Sequence, residues 1–91
     1  MNFNYFISYD LNSPGQDYSK IANKIGTLGA SVRCQKSMFY LRTSSSKEQI
    51  YQALMTVSDT NDSILVVVAS DAMWRNLLPG AADFIIKYWN A

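Results

Sequence analysis

Hydrophobic and polar residues alternate at the start of the chain. The apolar positions are Phe3, Tyr5, Ile7, Tyr9 and Leu11. Because successive side chains of a strand point to opposite faces, this spacing predicts a β-strand with one aromatic face. Asp10 lies at its carboxyl end. The sequence Asn-Ser-Pro-Gly at residues 12–15 follows and predicts a turn, since proline and glycine interrupt regular structure.

Helical spacing replaces this alternation in three later segments. The first begins at Gln16 and ends near Gly29, and its apolar residues are Tyr18, Ile21, Ala22, Ile25 and Leu28. The second follows a capping box, formed by Ser45 with Glu48 or by Ser46 with Gln49, and its apolar residues are Ile50, Tyr51, Leu54 and Val57. The third begins at Pro79, a residue favoured at the first helical position, and carries Phe84, Ile85, Tyr88 and Trp89.

Two further segments have the composition of strands. Residues 31–43 read as extended, with a bend near residues 35–37 that makes either two short strands or one bulged strand. The segment Ile64–Ala69 is apolar at every position, which is typical of a strand covered on both faces. Between them, Asp59-Thr60-Asn61-Asp62 predicts a turn.

The resulting element order is β-α-β-β-α-β-α. It predicts one α+β domain over residues 1–91, with a ferredoxin-like βαββαβ arrangement and an additional C-terminal helix. The first two helices of that arrangement cover one face of the sheet, and Phe6 and Met38 should lie on the other. An uncovered apolar sheet face is unusual in a monomer, so either the last helix or a second copy must cover it. We predict a homodimer.

Composition narrows the chemistry that the chain can perform. Of its 91 residues, 48% are hydrophobic and 16% charged, the formal net charge is +1, and there is one cysteine and no histidine. One protomer therefore cannot build a His/Cys metal cluster or a Ser-His-Asp or Cys-His nucleophile, so any metal needs oxygen ligands. The near-neutral charge argues against binding duplex DNA mainly through phosphates. The lone Cys34 and the lack of a signal peptide or a long apolar run predict a cytoplasmic protein without a membrane partner.

The sequence RCQKSMF, residues 33–39, is similar to a motif of a known family. This segment resembles the R-V-Q-x-S-V-F motif of the Cas-two family, the small CRISPR-associated proteins of adaptation complexes. Tyr9-Asp10-Leu11 matches the end of that family's opening strand, and the resemblance covers about residues 4–70. The opening strand and the turn after it are also similar to SinR-like small bacterial and phage proteins and to virulence-associated protein D, a toxin-type ribonuclease.

The resemblance implies a ferredoxin-like homodimer in which the strand-ending aspartates of two protomers approach each other and bind a divalent metal. Carried over by position, that residue is Asp10, which becomes the candidate catalytic and Mg²⁺-binding residue of an endonuclease acting on RNA or DNA. A hard carboxylate suits Mg²⁺, which retains waters able to attack a phosphodiester. The alternative for Asp10 is a turn residue whose carboxylate accepts the amide of residue 12 or 13.

The remaining candidates concern binding. Arg33, Lys36 and Arg42 are candidates for nucleic-acid contacts, although they also fit ordinary solvated strand charges. The aromatic residues of the strands could stack on bases, but their alternation favours a place in the core. The rival to the nuclease hypothesis is a non-catalytic module that binds a protein partner and regulates or inhibits a nucleic-acid-processing complex, as phage-encoded proteins do. The low net charge and the uncharged residues 12–15 favour that rival.

Overall fold

The computed structural model describes residues 1–12 and 18–91, so most of the predicted turn at 12–15 and the helix start at Gln16 lie outside the described residues. These described residues form four strands and three helices. They are β1 (Phe3–Asp10), α1 (Ser19–Gly26), β2 (Ala30–Gln35), β3 (Met38–Thr43), α2 (Lys47–Met55), β4 (Ser63–Ala69) and α3 (Ala81–Tyr88). None of the helices in these two stretches has the length and apolarity needed to cross a membrane.

The strands form one antiparallel sheet in the order β2-β3-β1-β4. The central strand β1 pairs with β3 from Phe3↔Thr43 to Ser8↔Met38, and with β4 from Asn4↔Ala69 to Asp10↔Ser63. The edge strand β2 pairs with β3 and contains an irregularity between Arg33 and Gln35. The predicted bend near residues 35–37 is therefore a turn between two strands. This small α+β structure is compatible with a ferredoxin-like fold.

The first face of the sheet carries the main core. Helices α1 and α2 pack on it, and the fully enclosed residues are Tyr5, Ile7, Tyr9, Ile21, Ile25, Phe39, Leu41, Ile50 and Leu54. Phe39 of β3 is buried here with Ile25 of α1 and Leu54 of α2. Helix α2 begins with the second of the two predicted capping boxes: the Gln49 amide donates to Ser46 Oγ at 3.1 Å, and the Ser46 amide donates to Gln49 Oε1 at 2.8 Å.

The second face is covered in part by α3. A smaller core forms there from Cys34, Tyr40, Ala81 and Ile85. Trp89 stacks on the Tyr40 ring with a centroid distance of 6.1 Å, and the Leu78 amide donates to the Cys34 carbonyl at 3.0 Å. Phe6 and Met38 pack against this cluster, as predicted. The chain's own C-terminal helix, which was one of the two alternatives left open by the sequence, thus covers this part of the face.

Two predicted helix boundaries are wrong. Helix α3 starts at Ala81 and not at Pro79, because Gly80 adopts a left-handed conformation with φ of 82° and separates the proline from the helix. Helix α1 ends at Gly26, three residues before Gly29. Gly29 lies close to β3 instead: a Cβ at that position would be 2.3 Å from the Arg42 carbonyl oxygen, which only glycine avoids.

The prediction that the β4 strand is covered on both faces is also wrong for a single chain. Strand β4 forms one edge of the sheet, and its side chains stay accessible on both faces. Leu65 is 60% exposed and Val67 44% exposed on the second face, and Val68 is 53% exposed on the first. On the first face, α2 packs against β4, and Ile64 and Val66 adjoin the main core. Helix α3 packs at the far side of the sheet, against β2, and leaves β4 uncovered on the second face.

Candidate functional site

Asp10 is the last residue of β1 and is exposed. It lies opposite Ser63, the first residue of β4. Strand alternation places it on the second face of the sheet, in line with Ser8 and Phe6. The carboxylate is therefore presented at one end of the sheet, as expected for a residue that meets a ligand or a partner.

In the alternative role of Asp10, its carboxylate accepts the backbone amide of residue 12 or residue 13. The structure contradicts this role for residue 12. The Asn12 amide donates to Asp62 Oδ1 at 3.2 Å. The other amide, that of residue 13, lies outside the described residues. Asp62 precedes β4 on the neighbouring strand, so the carboxylate that holds the start of this turn comes from a residue distant in sequence.

Asp62 is the acceptor around which this end of the sheet is organised. Its Oδ2 accepts the Asp59 amide at 3.0 Å and the Tyr9 hydroxyl at 3.1 Å. Partial burial raises the pKa of Asp62, but these hydrogen bonds and that from the Asn12 amide outweigh it and hold the pKa below its usual value. Sequence reasoning treated Asp62 only as a turn residue. Asp10 was the more visible candidate in the sequence, because it ends a strand with alternating apolar residues.

We expect Asp62→Ala to lower the free energy of unfolding by about 1–3 kcal/mol, because the Asn12 and Asp59 amides lose their acceptor and the Tyr9 hydroxyl, which also donates to Ser58 Oγ, loses one of its two partners. Since folding lowers the pKa of Asp62, its stabilising effect is present above the ordinary value of 3.8 and is lost as the pH falls below it. Chemical denaturation at pH 7 and pH 3 measures both effects. Asp10→Asn is the matched control at the same end of the sheet and should change stability little. Equal losses for the two variants would contradict this assignment.

The structure brings two of the three predicted basic residues together. Arg33 Nε donates to the Lys36 carbonyl at 2.8 Å, and its guanidinium lies 4.6 Å from the centre of the Tyr18 ring. Arg33 lies near the end of β2 and Lys36 in the turn between β2 and β3, and we call these two residues the basic turn. That turn adjoins the Asp10 end of β1, because the Tyr9 amide donates to the Ser37 carbonyl at 2.8 Å. Asp10 and this basic turn therefore share one end of the sheet.

Arg42 is separated from these residues. It lies near the other end of β3, opposite Asn4. Its Nε and Nη2 atoms donate to the Ala91 carbonyl at 3.1 and 2.7 Å, so the guanidinium holds the segment after α3 against the sheet. Arg42 is thus not part of a basic surface that includes Arg33 and Lys36.

The residues around Asp10 supply only some of the ligands that a bound metal ion needs. Within residues 1–12 and 18–91, no group of three or more histidine, cysteine, aspartate or glutamate side chains could hold a metal ion. Mg²⁺ accepts one or two carboxylates when waters or phosphate oxygens complete its octahedron. A Mg²⁺ ion at Asp10 would therefore need its other oxygens from water, from a bound phosphate or from a second copy of the chain.

The other chemically notable side chains belong to the core. Four aromatic residues of the strands are buried: Tyr5, Tyr9, Phe39 and Tyr40. Their predicted place in the core is confirmed, and their rings are not accessible for stacking on nucleic-acid bases. Cys34 is buried as well, and burial raises the pKa of its thiol. Since the thiolate is the reactive form, this cysteine is inert.

A groove on the second face was not predicted from the sequence. It has a volume of about 570 Å³ and lies between the sheet and the segment 71–77, with Phe6, Met38, Val67 and Trp74 among its lining residues. The exposed side chain of Leu65 continues this surface along β4. The accessible apolar side chains of β4 and the groove therefore form a surface on the second face of the sheet.

Comparison with known proteins gives no family assignment. Neither a protein family model nor a curated protein sequence matches this chain.

Proposed function

We propose that this protein is a homodimeric interaction module that works by binding, as a component or regulator of a nucleic-acid-processing complex. In this proposal its architecture is Cas-two-like, a ferredoxin-like βαββαβ domain with α3 as an addition. The single observation that carries it is the uncovered half of the second face. After α3 has packed on the β2 side, Leu65 and Val67 of β4 remain exposed beside the groove. A continuous apolar surface of this kind marks an interaction site.

The association with nucleic acid rests on the family resemblance and on the basic turn. The motif at residues 33–39 spans the end of β2, the turn and the start of β3, next to the Asp10 end of β1. Arg33 and Lys36 are the cations that lie there, and we propose them as the contacts to RNA or DNA phosphates. We leave Arg42 out of this contact because it lies near the other end of β3, opposite Asn4 and away from Arg33 and Lys36. Two cations per copy suit a weak, salt-sensitive contact.

A second candidate function is Mg²⁺-dependent cleavage of RNA or DNA at Asp10. It is favoured by the exposure of Asp10 at a strand end that adjoins the basic turn. In that case Asp10 would hold the ion, which supplies an activated water, and Arg33 and Lys36 would hold the phosphate backbone. The two candidates differ in one respect: binding does not require the Asp10 carboxylate, and cleavage does.

We expect wild-type protein and Asp10→Asn to behave alike in both of two measurements. Each should sediment as a dimer at micromolar concentration, and neither should cleave a panel of single- and double-stranded RNA and DNA in the presence of Mg²⁺. Asparagine retains the size of the aspartate side chain, so the fold is kept in the variant. Cleavage by wild-type protein that is lost in Asp10→Asn would establish the second candidate. A wild-type monomer would refute the proposed module.

A further inference from the structure

The backbone of β4 has a free edge whose direction can be derived from the sheet. The Tyr9 amide donates to the Ser37 carbonyl, so Tyr9 directs its backbone groups toward the β3 side. Because backbone groups alternate sides along a strand, the even-numbered residues 4–10 direct theirs toward β4. Their partners are the odd-numbered residues 63–69. The amides and carbonyls of Ile64, Val66 and Val68 consequently point away from the sheet, where the described residues provide no further strand.

This edge lacks the features that normally prevent strands from pairing between molecules. The sequence of β4, SILVVVA, contains no charged residue and no proline or glycine, and its pairing with β1 is regular. The opposite edge differs: β2 contains Arg33 and a register shift next to it, and α3 packs against it. Charges and bulges are the usual protection of an edge strand. Only the β4 edge is thus suited to pairing.

We propose that two copies of this chain join through antiparallel pairing of β4 with β4, with Val66 on the twofold axis. This inference rests on the proposed homodimer and specifies its interface. In this register Val66 pairs with Val66 of the second copy, and Ile64 pairs with Val68. All the outward-pointing amides and carbonyls of β4 then form hydrogen bonds across the interface. Leu65 faces Val67 of the second copy, so the exposed apolar residues of the second face cover each other.

The partner that we propose for this edge is a second copy of the chain, because β4 can pair with itself about a twofold axis. A strand that pairs with itself about a twofold axis uses its only free edge, so the assembly closes as a dimer. Growth beyond two copies would require the β2 edge, which Arg33 and its register shift protect. The result is one continuous eight-stranded sheet with a β2 strand at each end.

This interface has a consequence for the Asp10 residues. Asp10 pairs with Ser63 of β4, and in the proposed register Ser63 pairs with Ala69 of the second copy. The two Asp10 residues are therefore six residues apart along the strand direction, which is about 20 Å at a rise of about 3.3 Å per residue. One Mg²⁺ ion cannot bind both carboxylates across that distance. The β4 dimer thus excludes a metal shared between the two aspartates.

Engineered cysteines test the register directly. Leu65 and Val67 form a pair without backbone hydrogen bonds, for which the Cα–Cα distance of about 4.5 Å falls within the range of a disulfide. We expect the double variant Leu65→Cys/Val67→Cys to form a disulfide-linked dimer on mild oxidation. Each single variant should remain unlinked, because its cysteine faces the native residue. Cys34 is buried and adds no background.

A charge substitution tests the interface independently. We expect Leu65→Lys to weaken dimerisation by about 100-fold or more in a dilution series followed by light scattering, because each copy places a lysine at the apolar edge. The matched control is Ile86→Lys, which changes an exposed isoleucine of α3 and should leave the dimer unchanged. A wild-type dimer that resists Leu65→Lys and forms no disulfide would overturn the β4 interface alone. A monomer would overturn the proposed function as well, and larger oligomers would overturn the closed dimer.

Discussion

Replacing Phe39 with alanine should lower the free energy of unfolding by about 3–5 kcal/mol, the cost of a large cavity in a closely packed core. Phe39 is the second residue of β3, the strand between β1 and β2, and is 2% exposed. Its side chain points to the first face, where it belongs to the same cluster as Ile25 of α1 and Leu54 of α2. The substitution leaves a cavity in a cluster to which β1, β3, α1 and α2 all contribute buried residues.

Urea denaturation of Phe39→Ala at fixed protein concentration measures this effect. The concentration is fixed because the proposed dimer would also contribute to stability. Tyr51→Ala is the matched control, since Tyr51 is an aromatic residue of α2 whose side chain is largely exposed. It should cost less than about 1 kcal/mol. If the two variants lose similar amounts, then the first face does not contain the main core.

Replacing Ile85 with alanine should cost about 2–5 kcal/mol and loosen α3 from the second face. Ile85 is fully buried, in the cluster that also contains Cys34 and Tyr40. Trp89, which stacks on Tyr40, depends on the same helix for its position. The packing of α3 distinguishes this chain from one whose second face is covered entirely by a second copy.

Ile86→Ala is the control within the same helix. Its side chain is 64% exposed, so the substitution removes the same atoms without leaving a cavity, and stability should change by less than about 0.5 kcal/mol. Thermal melting of the two variants, together with tryptophan fluorescence, follows both the stability and the environment of Trp89. Equal stability of Ile85→Ala and Ile86→Ala would mean that α3 does not pack on the sheet in solution.

Much of the sheet and its first core was readable from the sequence. The alternation over residues 3–11 identified β1 and the face it buries, because a period of two has only one structural meaning. Two overlapping capping-box spacings before an apolar helical pattern predicted the start of α2 to within one residue. The structure contains both hydrogen bonds of the second box, formed by Ser46 and Gln49. These predictions succeeded because each depends on residues close together in the chain.

The errors concern features that depend on distant residues. An apolar strand such as Ile64–Ala69 predicts burial, but the pattern is the same whether the cover comes from the chain itself or from a second copy. The role of Asp62 depends on Tyr9 and Asn12, which lie more than 45 residues earlier in the sequence. The start of α3 is an exception, because it depends on the left-handed conformation of the adjacent Gly80.

The candidate site shows the same division. Position alone identified Asp10 as the residue at the exposed end of β1, and the structure places it there. Sequence could not show that Arg33 and Lys36 lie together while Arg42 binds the Ala91 carbonyl, because these contacts depend on strand register and on α3. Nor could it show the groove, whose walls come from the sheet and from the segment 71–77.

Amide hydrogen exchange of β4, measured residue by residue by NMR at a concentration where the protein is a dimer, tests the central claim most directly. In an isolated copy, the amides of Leu65 and Val67 are bonded to β1, and those of Ile64, Val66 and Val68 face solvent. The β4–β4 dimer predicts slow exchange at all of these positions, and faster exchange at the outward-facing ones on dilution. Fast exchange at Ile64, Val66 and Val68 in the dimer, with Leu65 and Val67 still slow, would show that the edge is free and would contradict the account.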